Sequence, residues 1–381
     1  MSVIINIMQM SIQTINVSNS TLVAKAIGQK DSNKVKLITG NSIIMTLLIS
    51  IITILIVFLI QPVFPNLFEV DKICITYLTI RLVGFVQSSI VTVLSGHQRT
   101  IGNQGNILAL RIFAVILNLI LDLIAVKFRY GIKGVAWTTV FIDTILSLYL
   151  LINSKDTVKC KLIKSYFADL FKLFKWNFIE RIASRIDNFI FNLIVAKMGN
   201  LEYAVHVILI QIANIYEAFI QGFGDGITIS VGIASGSKTT EPMNKVKNVS
   251  KKLINICSFI SPILVFIIAI IVMNISLKEK ESQIIFYKVL PLLIIGTYVT
   301  MSATYYFSIL RGIRDFKFLA KRNLISSIVK IILAIILSYT PLGIVGVWIA
   351  YLVYGLIQKY LSKNRYYEVF INNKSKELIE N

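Results

Sequence analysis

Long apolar windows dominate this chain and restrict the folds open to it. Eleven stretches of about 19 to 33 residues carry few charges, and about 20 helical residues rising 1.5 Å each cross the hydrocarbon of a bilayer. The windows are residues 1–22, 41–64, 73–95, 104–126, 132–153, 174–198, 201–233, 250–273, 284–310, 322–340 and 342–362. They predict an all-α polytopic membrane protein. The first window is rich in Asn, Gln and Ser, and we expect it to line a cavity; an interfacial helix is the alternative.

The composition supports a membrane protein. The mean hydropathy is +0.75, and charged residues make up 15% of the chain, against about 25% in ordinary globular domains. The three cysteines, Cys74, Cys160 and Cys257, are far apart and form no cluster with a histidine. The sequence therefore indicates neither a disulfide framework nor a zinc site.

The connections between windows alternate in charge. One set holds 26 Lys and Arg residues, and the opposite set holds 8. Since basic residues concentrate on cytoplasmic loops, the asymmetry predicts a cytoplasmic C-terminus and, with eleven spans, an external N-terminus. We expect a multi-pass protein of the plasma (inner) membrane. The same asymmetry accounts for most of the net charge of +20, so no nucleic-acid partner is expected.

One window combines apolar residues with a polar stripe. Lys175–Met198 is long enough to span a bilayer, yet polar residues recur in it every three or four positions and so share one side of a helix. They are Asn177, Glu180, Arg181, Ser184, Asp187, Asn188 and Asn192. Such a stripe faces protein or a water-filled cavity rather than lipid. Two interpretations remain open: ion pairs that hold helices together, or the wall of a transport pathway.

The longest polar connection, Lys155–Phe174, divides the chain. Its apolar residues follow helical spacing with lysines opposite them, which indicates an amphipathic helix on the cytoplasmic leaflet. The predicted organisation is a helical bundle at 1–154, a linker helix at 155–173, a second bundle at 174–365 and a cytoplasmic tail at 366–381.

The two bundles share a weak internal repeat. Three short matches recur at offsets of 208 to 216 residues. They pair Gly28-Gln29-Lys30 with Gly236-Ser237-Lys238, Leu94-Ser95-Gly96 with Leu310-Arg311-Gly312, and Gly131–Val135 with Gly343–Val347. Members of each pair fall on the same predicted membrane side, so the repeat is parallel. Duplicated bundles of this kind are a transporter architecture.

Several motifs in order resemble the MATE (multidrug and toxic compound extrusion) family of cation-coupled exporters. They are Leu22–Gly28 with Asp31, Ile179-Glu180-Arg181, Lys197-Met198-Gly199, Tyr203–Ile208, Gln221–Gly226 with Val231-Gly232, and Leu310–Asp315. The resemblance covers most of the chain. It implies two pseudo-symmetric bundles and efflux of organic compounds by alternating access.

Two departures from the family pattern stand out. Matching helix for helix leaves the family's first helix, which often carries a coupling Asp, without a counterpart here. The window 284–310 also lacks an acidic residue, although some sodium-coupled members of the family place an Asp there. We therefore keep open a transport-inactive, truncated copy of a family member.

Candidate coupling and cavity residues lie in two windows. A carboxylate in a half-dry cavity can exchange a driving ion for cargo. Those expected to act are Glu180, Asp187, Arg181, Arg185, Asn177, Asn188, Glu217, Asn214 and Gln221; second-rank candidates are Asp122, Tyr298 and Tyr305. Glu180 matches the family's seventh-helix Glu, and the resemblance implies Na⁺ or H⁺ there. Arg181 and Arg185 are expected to pair with one of the carboxylates.

The predicted function is a monomeric, cation-coupled antiporter for small organic, mainly cationic compounds. It needs a lipid bilayer and no cofactor beyond H⁺ or Na⁺. A flippase for lipid-linked saccharides is the runner-up, because arginines in several windows suit an anionic diphosphate. No enzyme motif appears in the sequence, so an enzyme is not expected.

Overall fold

The structure, a computed structural model, describes residues 2–63, 72–237 and 239–370. Within these ranges the chain forms twelve α-helices, a short 3₁₀-helix at Gln61–Val63 and no strand. The helices are α1 (Ser2–Gly28), α2 (Ser32–Ile60), α3 (Lys72–Val83), α4 (Phe85–Thr100), α5 (Gln104–Lys127), α6 (Gly131–Asn153), α7 (Lys164–Ala196), α8 (Asn200–Gly236), α9 (Glu241–Ser276), α10 (Lys280–Gly312), α11 (Phe316–Ser338) and α12 (Gly343–Phe370). The all-α prediction is confirmed.

Most predicted windows are individual helices. Seven of the described helices are long and apolar enough to cross a membrane, or eight if α3 and α4 form one span bent by 49°. The bend falls at Gly84, as expected where a residue without a side chain interrupts a helix. Three predicted windows, 1–22 in α1, 174–198 in α7 and 322–340 in α11, are not among these candidate spans, because their helices carry more polar and charged residues.

Apolar side chains cover the outer surface of several helices. On α5, Leu108, Val115, Leu119 and Leu123 are each more than 60% exposed. A soluble protein rarely leaves so large an apolar surface in water. Acyl chains of a bilayer would cover these side chains, as the predicted spans require.

The chain divides into two compact units, residues 1–178 and 179–381. Each unit has its own apolar core, which includes Ile15 and Leu94 in the first and Phe286 and Trp348 in the second. The boundary falls inside α7, whose Leu170 and Phe174 belong to the first core and whose Phe191 and Val195 belong to the second.

A separate linker helix at 155–173 is not what the structure shows. Residues 158–163 are not helical, and α7 runs from Lys164 to Ala196 without interruption. The reason is local: no Gly or Pro separates the amphipathic stretch from the apolar stretch that follows, so the helical pattern continues. Of the predicted tail, residues 366–370 end α12, and 371–381 lie outside the described residues.

Helix packing repeats between the units. In the first unit α1 packs on α2 and α4, α4 packs on α2 and α6, and α6 packs on α5. In the second, α8 packs on α9 and α10, α10 packs on α9 and α12, and α12 packs on α11. If α8, α9, α10, α11 and α12 are taken as the equivalents of α1, α2, α4, α5 and α6, in that order, each of these packed pairs in the first unit has its equivalent in the second. Helix α7 has no counterpart in the described part of the first unit.

Close glycine contacts repeat as well. A Cβ on Gly96 would overlap the side chain of Asn16, and a Cβ on Gly312 would lie 2.6 Å from Cγ1 of Val231. Gly312 and Val231 follow Gly96 and Asn16 by 216 and 215 residues. A second set recurs at an offset of 212, with Gly134 against Ala125 and Tyr130, and Gly346 against Leu337 and Leu342. The parallel repeat is therefore a structural duplication.

Candidate functional site

The α7 carboxylates lie inside the second unit, paired with basic side chains of other helices. Glu180 is 6% exposed. Its Oε2 lies 3.6 Å from Nη2 of Arg311, at the end of α10, and its Oε1 lies 3.6 Å from Nη2 of Arg322 on α11. From the sequence, Arg181 and Arg185, the nearest cations along α7, are expected to pair with one of the carboxylates. Arg311 and Arg322 were missed because they are more than 130 residues away.

One aromatic ring supports both arginines. The guanidinium carbons of Arg311 and Arg322 lie 4.1 and 4.7 Å from the centroid of the Phe307 ring. Nη1 of Arg322 also donates to Oγ of Ser362 on α12 at 2.9 Å. Cation–π contact and hydrogen bonding hold the guanidinium groups beside Glu180. A cation at Glu180 would have to displace them, so the arrangement does not favour the predicted Na⁺ there.

Asn323 on α11 forms hydrogen bonds with α7 and α12 next to the Glu180 ion pairs. Its Nδ2 donates to the main-chain oxygen of Glu180 at 3.0 Å and to Oγ of Ser184 at 2.9 Å. Its Oδ1 accepts hydrogen bonds from the Tyr354 hydroxyl at 3.0 Å and from Gln358 Nε2 at 2.9 Å. Because both the nitrogen and the oxygen of this buried amide are hydrogen-bonded, Asn323 helps to hold α7 against α11 and α12. The sequence analysis did not single out Asn323, although its seven-residue spacing to Lys330 places both on one face of α11.

The second α7 carboxylate forms a close ion pair. Oδ2 of Asp187 lies 2.6 Å from Nζ of Lys330, and the two side chains are 3% and 1% exposed. Nζ of Lys330 also lies 4.7 Å from the Phe191 ring centroid, 4.8 Å from that of Tyr354 and 5.7 Å from that of Tyr351. The ammonium group therefore has one carboxylate and three aromatic rings around it.

Glu217 on α8 differs from both α7 carboxylates. Its side chain is exposed, and its Oε1 accepts a hydrogen bond from the Tyr351 hydroxyl at 3.4 Å. It forms no ion pair within 4.0 Å with any residue in the described ranges. Tyr351 contacts Glu217 through its hydroxyl and Lys330 through its ring. Glu217 thus joins the Asp187–Lys330 pair, and Lys330 and Arg185 face its carboxylate from beyond ion-pair distance.

The remaining candidates on α7 and α8 are placed differently from one another: Arg181 faces Glu180, and Arg185 faces Glu217. Asn177 belongs to the first unit, where it is buried and its Nδ2 donates to the main-chain oxygen of Thr14 at 3.4 Å. Arg181 is partly buried. Arg185, Asn188, Asn214 and Gln221 are exposed, as Glu217 is.

The second-rank candidates lie elsewhere. Asp122 accepts a hydrogen bond from the Thr138 hydroxyl within the first unit. Tyr298 is 38% exposed, and its ring lies 5.7 Å from that of Phe259. Tyr305 is buried, with its hydroxyl 3.2 Å from that of Tyr366. A cargo surface at Tyr305 would require that contact to open.

Within the described residues, no three His, Cys, Asp or Glu side chains are grouped so as to hold a metal ion. Glu180, Asp187 and Glu217 contact Arg, Lys and Tyr side chains. The site is therefore built of carboxylates, basic side chains and aromatic rings in contact with one another.

A protein-family model described as MatE matches residues 1–124 and 178–336 of this chain. A search of curated proteins by sequence finds no match. The fold is similar to that of a MATE protein solved in complex with MaL6, with 17% identity and a TM-score of 0.85 over 99% of this chain and 87% of that chain. It is also similar to an outward-facing multidrug resistance MATE family transporter of the MOP superfamily, with 17% identity and a TM-score of 0.81 over 96% and 86% of the chains.

A third similar structure is a MOP superfamily transporter from Pyrococcus furiosus, described as having a binding pocket of reversed polarity that suggests a different function. Its identity is 18% and its TM-score 0.86, over 95% of this chain and 86% of that chain. At 17–18% sequence identity, the similarities to solved structures establish the fold alone. The family assignment rests on the match to the MatE family model.

Proposed function

Because this chain belongs to the MatE family and has the MATE transporter fold, we infer that it exports small organic cations in exchange for H⁺ or Na⁺. It is a multi-pass membrane transporter of the MOP superfamily, not an enzyme. The direction, the cargo and the coupling ion are our proposal. Alternating access of the two units would carry out the exchange.

The carboxylate of Glu217 is the observation that supports this proposal most directly. Its side chain is exposed at the middle of α8, a helix long and apolar enough to span the bilayer. A carboxylate at that depth does not face lipid, so an exposed one faces water. A tyrosine hydroxyl donates to Glu217, and in the part of the chain that the structure describes no cation lies within 4.0 Å of its carboxylate. Glu217 therefore has the charge to attract a cation from that water.

The contacts of the site suit a cationic cargo. Arg311 and Arg322 lie beside Glu180, and Lys330 lies beside Asp187, so these basic side chains already have carboxylate partners. The aromatic rings beside Lys330 also suit organic cations. Arg181 faces Glu180 and Arg185 faces Glu217 as well. A lipid-linked diphosphate would use such basic groups, so the flippase is the alternative to be tested.

The orientation and oligomeric state complete the proposal. The excess of basic residues on one set of connections supports a plasma-membrane protein with a cytoplasmic C-terminus. All groups of the site come from one chain, so a monomer suffices.

Ethidium efflux tests this function. Cells without their own exporters would be loaded with ethidium and would lose it faster when they express the wild-type chain. Glu217→Gln should reduce efflux to near that of cells without the protein, because the amide cannot balance a cation.

The matched control is Glu202→Gln, in the first turn of the same helix, which should leave efflux intact. An assay with labelled lipid-linked saccharide separates the flippase alternative. Absence of ethidium export by the wild type, together with saccharide transport, would overturn the proposal. Equal export by wild type and Glu217→Gln would remove the role given to Glu217.

A further inference from the structure

The ammonium group of Lys330 occupies a site whose carboxylate and aromatic rings would also suit a free organic cation. Its side chain is 1% exposed, and a charged lysine in such a place is costly unless it is paired. The pairing is provided by Asp187, 2.6 Å from Nζ, and by the rings of Phe191, Tyr354 and Tyr351. A carboxylate with several aromatic faces is also the set of groups that binds organic ammonium ligands.

Other charged and titratable groups face Lys330 from each helix around it. Asp187 comes from α7, Tyr351 and Tyr354 from α12, and Glu217 and His206 from α8. His206 Nε2 is held at 2.8 Å by Oδ1 of Asn192. Tyr351 connects Lys330 to the exposed Glu217. The ammonium group is thus one contact removed from a carboxylate that faces water.

We propose that Lys330 carries the coupling proton, and that protonated Lys330 and cationic cargo occupy the Asp187 site in alternation. This inference rests on the export function proposed above and deepens it by naming H⁺ as the coupling ion. When cargo binds, an N–H bond of the Lys330 ammonium breaks, its electron pair stays on Nζ, and the proton passes to water. The cargo then places its charge against Asp187. One positive charge replaces another, so the site keeps its net charge.

Two features of the site favour this exchange over a purely structural ion pair. A lysine amine becomes neutral on losing its proton and can remain buried among aromatic rings without a counter-charge. The ammonium also occupies the position next to Asp187 that Na⁺ would need. Sodium coupling at Asp187 would require Lys330 to leave first, whereas proton coupling requires no other ion.

Proton release on cargo binding tests the inference with the full-length chain in detergent. Ethidium would be added to weakly buffered protein, with its fluorescence reporting binding and a pH dye reporting protons. We expect close to one proton released per ethidium bound, whether or not Na⁺ is present, since linkage couples the two events reciprocally.

Lys330→Arg is the informative variant, because arginine keeps the charge opposite Asp187 but does not lose its proton. It should release no proton and bind ethidium at least about tenfold more weakly. Lys321→Arg, an exposed lysine on the same helix, is the control and should behave as the wild type. If the ion pair is only structural, Lys330→Arg and the wild type release the same number of protons per ethidium bound, whatever the change in affinity.

The outcomes separate the two proposals. Ethidium export by the wild type without proton release on binding overturns the role of Lys330 and leaves the exporter in place. Release of as many protons by Lys330→Arg as by the wild type would also overturn the role of Lys330 and leave the exporter in place. A wild type that neither binds nor exports ethidium overturns both. The wild-type measurement needs no variant, so it decides even if Lys330→Arg fails to fold.

Discussion

Asn323 donates a hydrogen bond to the main-chain oxygen of Glu180 at 3.0 Å, which joins α11 to α7 at the point where the α7 carboxylate meets its two arginines. The bond is part of a set in which one buried amide makes four hydrogen bonds. This one side chain therefore links α7 to both α11 and α12. Neighbouring ion pairs depend on that position in turn.

Asn323→Ala should destabilise the second unit. Loss of the amide leaves the Tyr354 hydroxyl and the Gln358 amide without their acceptor, and each buried group left unpaired costs roughly 1–3 kcal/mol. We expect the free energy of unfolding to fall by about 2 to 3 kcal/mol, measured as a lower thermal midpoint in detergent. Asn188→Ala, at an exposed position of α7, is the control. Equal midpoints for the two variants would contradict the role given to Asn323.

Glu180→Gln should act mainly on stability. Removing the carboxylate leaves Arg311 and Arg322 buried without a counter-charge, and breaking such a pair costs about 3–5 kcal/mol. The double variant Glu180→Gln with Arg322→Gln should lose less than the sum of the single variants in a thermal unfolding cycle. Glu368→Gln is the matched control, because its ion pair with Arg365 is on the surface and is worth about 0–1 kcal/mol. Strict additivity would argue against the buried network.

Gly312→Ala should weaken the packing of α10 on α8. The new Cβ would lie 2.6 Å from Cγ1 of Val231 and 2.9 Å from the main-chain oxygen of Thr228, and such overpacking costs about 1–3 kcal/mol. Gly296→Ala on the same helix meets no atom within 4 Å and should be neutral, or stabilising by up to about 1 kcal/mol. Thermal midpoints give both values. Adding Val231→Ala to Gly312→Ala should restore part of the loss, and failure to do so would place the strain elsewhere.

Asn41 should hold the segment before α7 in place. Its Nδ2 donates to the main-chain oxygen of Lys161 at 2.9 Å, and its Oδ1 accepts from the main-chain N–H of Ile163 at 2.9 Å. Asn41→Ala should speed amide hydrogen exchange at 159–163, by roughly tenfold for each 1.4 kcal/mol lost. Gly40→Ala should do the same, because its Cβ would overlap the backbone of Lys159.

The control for that segment is Gly105→Ala, whose added Cβ meets no atom within 4 Å. Exchange at 159–163 should then match the wild type. Unchanged exchange in both Asn41→Ala and Gly40→Ala would show that other contacts hold the segment.

The local sequence pattern was enough to predict the helices and the duplication of the helical bundle. Runs of apolar residues long enough to cross a bilayer predict helices whatever surrounds them, because the backbone must satisfy its own hydrogen bonds in lipid. The recurring Gly131 and Gly343 mark equivalent helix starts, both with positive φ, at 59° and 52°. The predicted boundary between two helices at residue 173 is wrong, because the local pattern there cannot distinguish one helix from two. An amphipathic and an apolar stretch in the same helical phase contain no signal that separates one helix from two.

The sequence by itself determined which side of α7 is polar, and with it the choice of Glu180 and Asp187, because helical period alone places residues on a face. Only the tertiary structure decided their partners. Apart from Arg322 at its start, the window of Lys330 holds no other charged residue, and nothing near Lys330 in the chain points to Asp187, 143 residues earlier. Which cation meets which carboxylate depends on the rotation and axial position of α7 against α11 and α12. Those are set by side-chain packing across helices, which a local pattern does not contain.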